Sequence, residues 1–518
     1  MLAVVVRGSS VGLADGRRAW LGSLDEVAAS TDRLVLWSAR STPLLPLRPR
    51  QVWDLAAVHK VLYGGRSEDP ASVWAAVHDL PVPARSDDFS LFDSGLSAVE
   101  PYERTLRVDG GLHPDAWRFS PVEELALLAL VVQQKQEAAL LALPDPRAVV
   151  QGPHLRLVTA WAESAASLLC AEMESDGLPF DLDGGRALVR QLIQVDDRAT
   201  RDAPVLALFR GDDVDLRNPA SVKDALARMG IDVPDTRSHR LEAYRAAHPV
   251  VDALLTWRKA ERVATTYGYD WIDAHVREGR LRGEWTSADG GAGRMTASAG
   301  LHSLPAELRP VIAAEPGHVL VRADLGQVEP RVLAAVSGDR AFAAAAAQDD
   351  LYTPVAAMLG VDRPTAKIAV LAAMYGQTSG AAGQALRQME QAYPVALAFL
   401  RAAEESGRVG TDVRTHGGRL VRVGSGGVGR YARNAVVQGA AAELFKAWAA
   451  AVRNGLGDGR IVLCLHDELL LHLPAADGSR AVDLLHDALA ATSGHWAAGS
   501  GVRFVADVAI VSRWSEAK

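Results

Sequence analysis

A fifteen-residue segment near the end of the chain places the strongest restriction on the fold. Residues 460–474, RIVLCLHDELLLHLP, consist of two apolar runs separated only by His466, Asp467 and Glu468. Two such runs predict a buried antiparallel hairpin, although neither Gly nor Pro marks its turn. The three ionisable residues then lie at the hairpin tip, where they can simply be solvated. Alone they do not specify a chemistry.

A second strand-like run, GHVLVRADL at residues 317–325, brings another acid, Asp324, to a strand end ahead of a helical pattern. A carboxylate at this place is well positioned to ligate a hard cation, although an Asp here more often caps the next helix. The two segments gain meaning together. Asp324 and Asp467, on two strands of one sheet, could hold two Mg²⁺ ions about 3.5–4 Å apart for phosphoryl transfer.

A third segment has the pattern of a helix with one mixed face. Arg363, Lys367, Leu371 and Tyr375 recur every four residues, after Asp362 as the predicted N-cap. The order cationic, apolar, aromatic suits the phosphates, sugar and base of a nucleotide. A helix stripe with a purely structural role would show the same spacing.

A fourth segment, residues 429–448, places Arg430, Asn434 and Gln438 four apart on a predicted helix. Such donors can meet the minor groove of a duplex, yet this spacing is also common on solvated helix faces.

Composition narrows the class of protein. A chain of 518 residues is too long to fold around one hydrophobic core, so we expect more than one domain. A domain boundary is predicted near residue 145, after a long helical pattern. The net charge of −8 argues against coating nucleic acid by overall charge but permits a basic cleft. The two cysteines form no CxxC motif, and the longest apolar run, Leu125 to Val132, is far shorter than a membrane span. We therefore expect a cytoplasmic protein with no membrane partner.

Taken in order, these segments resemble the bacterial DNA polymerase I family, family A. DLGQVEPR (324–331) is similar to its motif A, RPTAKIAVLAAMYG (363–376) to motif B and LHDELLLHL (465–473) to motif C. Secondary similarities are EMESDGLPFD (172–181), NPASVKDAL (218–226), GRMTASAGLHSLP (293–305) and NAVVQGAAAELFK (434–446). The resemblance runs from about residue 155 to the end of the chain.

The resemblance implies a mixed α/β fold in two parts. Residues 1–145 would form a degenerate RNase H-like 3′–5′ exonuclease domain, and residues 146–518 a right-hand polymerase domain with thumb, palm and fingers. The implied activity is template-directed DNA synthesis in replication or repair by a nucleoid-associated monomer. Its partners would be primer–template DNA and dNTPs, and its cofactors two Mg²⁺ ions, with Mn²⁺ as a substitute.

The resemblance also implies roles for individual residues. Asp324 and Asp467 would bind the metal ions with the Leu325 carbonyl, and Lys367 would donate a proton to the leaving pyrophosphate. The residues implied at the nucleotide are Arg363, Lys367, Leu371, Tyr375, Gln327 and Glu329. Within that set Arg363 would hold the triphosphate, and Glu329 with Tyr375 would exclude a ribose 2′-hydroxyl. The residues implied at the DNA are Arg258 and Lys259 on a thumb-like helix, Arg294, Arg331, Arg430, Asn434, Gln438 and His466.

Several positions depart from the family pattern. Leu325 and Gly326 replace an aromatic residue and a Ser, and residues 370–372 (Val-Leu-Ala) replace Asn-Phe-Gly. His302 and Ser303 replace Gln and Asn. We expect polymerase chemistry to survive these changes and sugar discrimination, fidelity or speed to differ.

The first 145 residues depart further. No Asp-x-Glu follows an early strand, LVLWSARSTPLL (34–45) has no carboxylate, and no Tyr-x-x-x-Asp closes the domain; only VWDLAAVHKVLYGG (52–65) is faintly similar. Because two cations need a carboxylate cluster, we expect no proofreading. The family's 5′ nuclease domain is also expected to be absent.

Two alternatives stay open. The chain could be a catalytically idle primer–template binding protein, or a polymerase specialised for ribonucleotides or damaged templates. Glu329 argues against free ribonucleotide use, whereas Leu325 and Leu371 leave that question open.

Overall fold

The computed structural model describes residues 1–65, 67–82, 105–193, 197–209, 213–376, 381–424, 426 and 428–517. Its contacts divide the chain into two compact units, here called the main unit and the inserted unit. The main unit comprises Met1–Asp176, Glu284–Ala297 and Gly317–Val511; the inserted unit comprises Gly177–Gly283, Ser298–Pro316 and Ser512–Lys518. The predicted boundary near residue 145 lies within the main unit and stays a prediction.

The main unit begins with a five-stranded sheet of order β3-β2-β1-β4-β5, in which β1, β4 and β5 run parallel. Both faces of β1 are covered, which explains its continuous apolar run. Leu2, Val4 and Val6 belong to one core cluster, and Ala3 and Val5 to another. The elements are β1 Leu2–Arg7, β2 Ser10–Ala14, β3 Ala19–Gly22, α1 Leu24–Ala29, β4 Leu34–Leu36, β5 Val52–Asp54, α2 Leu55–Tyr63, α3 Pro70–Val77, α4 Ala116–Phe119, α5 Val122–Ala142 and α6 Leu155–Asp176.

Helix α5 is, by length and composition, apolar enough to cross a membrane, which the short run Leu125 to Val132 did not suggest. Half of that apolar window is buried inside the fold. The helix packs against β1 and β2, with Leu125 and Ala129 in the same core cluster as Ala3 and Val5. Its apolar character therefore matches that of a core helix.

The inserted unit is mostly helical, and one helix predicted there is divided in two. The pattern over residues 250–276 predicts one helix, but the structure has two, because Tyr267 leaves the helical path and its hydroxyl donates to the Gly300 carbonyl at 3.0 Å. Gly268 is the N-cap of the second helix. The elements are β6 Leu178–Pro179, α7 Leu182–Ile193, α8 Arg198–Leu206, α9 Pro219–Arg228, α10 Ser238–Leu241, α11 Pro249–Thr266, α12 Tyr269–His275, β7 Val276–Arg277 and β8 Arg280–Leu281.

The rest of the main unit surrounds a four-stranded antiparallel sheet of order β14-β15-β11-β16. Its strands are the predicted apolar runs, with β14 and β15 forming the hairpin. The elements are β9 Trp285–Asp289, β10 Arg294–Ala297, β11 His318–Leu325, α13 Val328–Ser337, α14 Arg340–Ala346, α15 Tyr352–Leu359, α16 Arg363–Tyr375, α17 Ala381–Ala392, α18 Pro394–Arg408, β12 Val413–Arg414, β13 Leu420–Val421, α19 Gly429–Gly455, β14 Arg460–Leu465, β15 Glu468–Pro474, α20 Gly478–Trp496 and β16 Ala506–Val511.

Local chemistry explains where the helices near the sheet begin. The Asp362 side chain accepts from the Thr365 amide at 2.8 Å and caps α16, and Pro364 lies in the first turn of that helix. Helix α16 therefore starts at Arg363 and directs its cationic first turns along one face.

Candidate active site

The tip of the β14–β15 hairpin lies beside the end of β11. The Leu325 amide donates to the Asp467 carbonyl at 2.9 Å, which brings Asp467 next to the strand end that carries Asp324. The hairpin turns without glycine because His466 adopts a left-handed conformation, with φ 57°. Non-glycine residues seldom adopt this conformation, and those that do are concentrated at functional sites.

Acidic residues surround this point. Burial, and next the charge of Asp467, raise the pKa of Asp324 to about 6, and burial also raises the pKa of Asp467. Asp324 also pairs across the sheet with Glu468 on β15 and Asp507 on β16. Carboxylate and carbonyl oxygens are the ligands that Mg²⁺ and Mn²⁺ prefer, so this donor set fits the expected divalent ions.

A cavity of about 350 Å³ opens beside the hairpin tip. Six separate stretches of chain contribute to its wall, from β10, the β11–α13 turn, α15, α16, α19 and the hairpin tip itself. Ten residues singled out from the sequence line it: Arg294, Leu325, Gln327, Glu329, Lys367, Leu371, Tyr375, Gln438, His466 and Asp467. The structure thus brings most of the predicted catalytic and nucleotide residues into one cavity.

Glu329 joins two walls of this cavity. Its carboxylate accepts from the Tyr375 hydroxyl at 2.7 Å and pairs with the Arg294 guanidinium at 2.5 Å. Burial and the nearby Glu329 charge raise the pKa of Tyr375, so its hydroxyl stays protonated as the donor. These two bonds fix the aromatic end of α16 against β10.

Arg363 is directed elsewhere. Its guanidinium holds the Asp350 carboxylate through two bonds of 2.8 and 2.9 Å, and Arg363 is not among the residues that line the cavity. The Gln327 amide donates to the same carboxylate at 2.5 Å. The Arg363 pairing keeps the pKa of Asp350 well below its usual range. The residue predicted to bind the triphosphate is therefore already paired with an internal anion.

The residues predicted at the DNA are in varied environments. His466 and Gln438 line the cavity, and burial lowers the pKa of His466. Arg430 is exposed and lies 3.4 Å from the Tyr375 and Gly376 carbonyls. The side-chain oxygen of Asn434 is buried without a hydrogen-bond partner among the described residues.

Arg331 differs from the prediction. It is fully buried, and its guanidinium donates to the main-chain carbonyls of Gly326, Ala346, Asp349 and Arg503. A guanidinium used in this way has no face left for DNA, so Arg331 organises the loops behind the cavity.

Arg258 and Lys259 belong to the inserted unit, on α11. Arg258 is half-buried and donates to the Thr236 carbonyl, whereas Lys259 is exposed and pairs with Glu307 at 2.8 Å. Of the two, Lys259 is the one whose charge faces solvent.

Comparison with known proteins identifies the family. A model of DNA polymerase family A matches residues 218–516, more than half of the chain. The chain belongs to DNA polymerase family A.

Relatives of this chain cover much of the same region. The thermostable DNA polymerase I of Thermus aquaticus is 29% identical over 362 residues, which is 60% of this chain and 43% of that protein. The thermostable DNA polymerase I of Thermus thermophilus is 32% identical over 293 residues, 48% of this chain and 35% of that protein. The chain spans less than half the length of these relatives.

A solved structure establishes the fold over the whole chain. The POL domain of Pol1 from M. smegmatis, in complex with DNA primer-template and dNTP, aligns with a TM-score of 0.70 at 18% identity, covering 100% of this chain and 96% of that one. The predicted mixed α/β polymerase fold is confirmed.

Sequence reasoning missed some residues of this site. Tyr352 lines the cavity, with the Arg363 guanidinium 5.6 Å from its ring, and Asp350 holds Arg363 itself. Arg322 contacts Asp324 at 2.7 Å. Its position two residues before Asp324 on the same strand was the available signal, because such residues share one face of a sheet.

Proposed function

We propose that this chain is a DNA-directed DNA polymerase that extends a primer on a template from dNTPs in the cytoplasm. One observation carries the proposal. Asp467, Lys367, Tyr375 and Glu329 line one cavity although they come from segments far apart in sequence, and Asp467 lies at the tip beside Asp324. A likeness to a polymerase domain solved with DNA primer-template and dNTP supports it.

Asp324 and Asp467 would hold two Mg²⁺ ions, or Mn²⁺ in their place, with the Leu325 carbonyl as a further ligand. When bound, the ions supply neutralisation of the triphosphate charge and orientation of the reacting oxygens. Lys367, on the cavity wall, would protonate the pyrophosphate oxygen as it leaves. Glu329 and Tyr375 would exclude the 2′-hydroxyl of a ribonucleotide.

Residues 1–145 would support the fold without proofreading. On β1, Leu2, Val4 and Val6 are buried in an apolar cluster. Asp54, at the end of β5, is buried and accepts from the Ala39 and Ala57 amides at 2.8 and 2.9 Å, which commits its carboxylate to capping α2. A carboxylate used in this way is not available to bind the cations that a 3′–5′ exonuclease needs.

Primer extension tests the polymerase proposal. A labelled primer–template with four dNTPs and Mg²⁺ is compared for the wild type, Asp467→Asn and the control Asp349→Asn, whose carboxylate is 79% exposed. We expect templated growth by the wild type and the control and none by Asp467→Asn. Duplex binding should persist in all three, because phosphate contacts and metal chemistry are separate.

Absence of extension by the wild type, with duplex binding retained, would refute the proposal. The idle primer–template binding protein would then be the better description.

A further inference from the structure

Three carboxylates form a row across the central sheet. Asp324 on β11 is paired directly with Glu468 on β15 and with Asp507 on β16. Residues directly opposite each other in a sheet present their side chains on the same face, and like charges there repel. The row therefore has a net charge that the strand pairing itself cannot relieve.

Arg322 lies two residues before Asp324 and therefore on the same face of β11. Its guanidinium contacts all three acids: it is 2.7 Å from the Asp324 carboxylate, 2.9 Å from that of Glu468 and 4.0 Å from that of Asp507. The Arg322 side chain is only 13% exposed, whereas that of Asp507 is 73% exposed. The cation is thus enclosed on the inner side of the row.

We infer that Arg322 is a built-in counter-cation of the catalytic carboxylates, which weakens their hold on divalent ions and so sets the metal concentration that the enzyme needs. The inference rests on the proposed function, in which Asp324 is a metal ligand. A guanidinium stays charged at every physiological pH and repels a divalent ion bound to the carboxylate it touches. It also occupies an Asp324 oxygen that an ion would otherwise share.

This role differs from a purely structural one in the sign of its effect. A residue that only shapes the site would, when replaced, leave the carboxylates misplaced and weaken ion binding. A counter-cation, when neutralised, leaves the carboxylates more negative and strengthens ion binding. The direction of change therefore separates the two roles.

Binding of Mn²⁺ to the full chain without DNA provides the test. Free Mn²⁺ is measured by electron paramagnetic resonance at pH 8 and low salt for the wild type, Arg322→Gln and Arg322→Lys. We expect Arg322→Gln to lower the Kd for Mn²⁺ by about tenfold, because one positive charge is removed at contact distance. Arg322→Lys, which retains the charge, should stay within about twofold of the wild type.

Two controls accompany these variants. Arg401→Gln removes an exposed guanidinium that pairs with Glu390 at 2.6 Å, away from the acidic row, and should leave the Kd unchanged. Arg322→Ser repeats the test with a small neutral side chain in case the Gln variant does not fold. In primer extension, Arg322→Gln should lower the Mg²⁺ concentration that gives half of the maximal rate.

Asp324→Asn separates a failure of the metal-ligand role of Asp324 from a failure of the counter-cation role of Arg322. If Asp324→Asn abolishes specific Mn²⁺ binding while neutralising Arg322 leaves the Kd unchanged or raises it, the counter-cation is refuted and the metal site stands. If Asp324→Asn binds Mn²⁺ as the wild type does, the metal-ligand role of Asp324 is refuted, and the role of Arg322 with it.

Discussion

Arg363 illustrates how a residue can be predicted for one partner and found on another. Its position at the start of α16 suits a triphosphate, yet in the structure its guanidinium is bound by Asp350 through two bonds of 2.8 and 2.9 Å. An incoming triphosphate would have to displace this internal anion. Asp350 would then lower the affinity for nucleotide while keeping Arg363 ordered.

Replacing Asp350 tests that competition. We expect Asp350→Asn to lower the KM for dATP by about threefold to tenfold, because the guanidinium no longer needs to exchange one anion for another. The neighbouring Asp349→Asn, which removes the same charge from an exposed position, should leave the KM unchanged. A raised KM in Asp350→Asn would show instead that the carboxylate positions Arg363.

Glu329 provides a residue-scale prediction about sugar choice. Its carboxylate connects Tyr375 and Arg294 across the cavity, so Glu329→Ala opens space and frees both partners. We expect the preference for dATP over ATP, measured as the ratio of kcat/KM values, to fall at least about tenfold. Tyr375→Phe removes only one hydrogen bond and should change this ratio less. An unchanged ratio in Glu329→Ala would refute the exclusion role.

His59 on α2 makes stability depend on pH. Its side chain is buried, and burial lowers its pKa from 6.5 to about 4. The unfolded chain therefore binds the proton first, so the free energy of unfolding falls as the pH drops from 6.5 to 4. We expect a loss of about 2–3 kcal/mol over that range. Urea denaturation at several pH values should show a smaller loss in His59→Leu; an equal loss would mean that His59 does not contribute.

At the scale of elements, one buried acid joins the starts of two helices. The Asp339 carboxylate accepts from the Phe342 amide at 3.0 Å, which caps α14, and from the Val395 and Ala396 amides at 3.1 Å in the first turn of α18. We expect Asp339→Ala to lower the free energy of unfolding by about 2–4 kcal/mol, because three amides lose their acceptor. Asp362→Ala, an exposed cap on α16, should cost less in the same urea titration. Equal losses in the two variants would show that the contact of Asp339 with α18 does not contribute to the free energy of unfolding.

Local pattern predicted most of the elements that build the site. The apolar runs around Asp324 and Asp467 correspond to strands β11, β14 and β15, and the Asp362 cap begins α16. The break of the inserted helix at Tyr267 was not predictable, since it depends on a contact with Gly300 that is distant in sequence. The sequence places Arg322 on the same face of β11 as Asp324, but its contacts with Glu468 and Asp507 depend on strand register, which no local pattern contains.

At the scale of the whole molecule, the described residues between 1 and 142 share a core with the rest of the main unit. Ala160 and Leu168 on α6 belong to the clusters that cover the first sheet, and the Ser164 hydroxyl accepts from the Asp54 amide at 3.0 Å. The Lys446 ammonium on α19 donates to the Glu163 carboxylate on α6 at 2.8 Å and to the Gly293 carbonyl, next to Arg294, at 2.6 Å. The first sheet thus supports the helix that holds the cavity wall.

This shared core decides how proofreading should be tested. Deleting residues 1–145 would expose the apolar face of α6, so the full chain must be used. The assay uses a primer with a mismatched 3′ end and Mg²⁺ or Mn²⁺, without dNTPs, and we expect no shortening of the primer. The carboxylate of Asp54 is committed to backbone amides, and the buried side chains of β1 are all apolar, so neither can hold a cation. Metal-dependent shortening that persists in Asp324→Asn and Asp467→Asn would place a nuclease site outside the Glu329 cavity and contradict the prediction. Its absence would leave nucleotide selection at the Glu329 cavity as the step at which this chain sets its error rate.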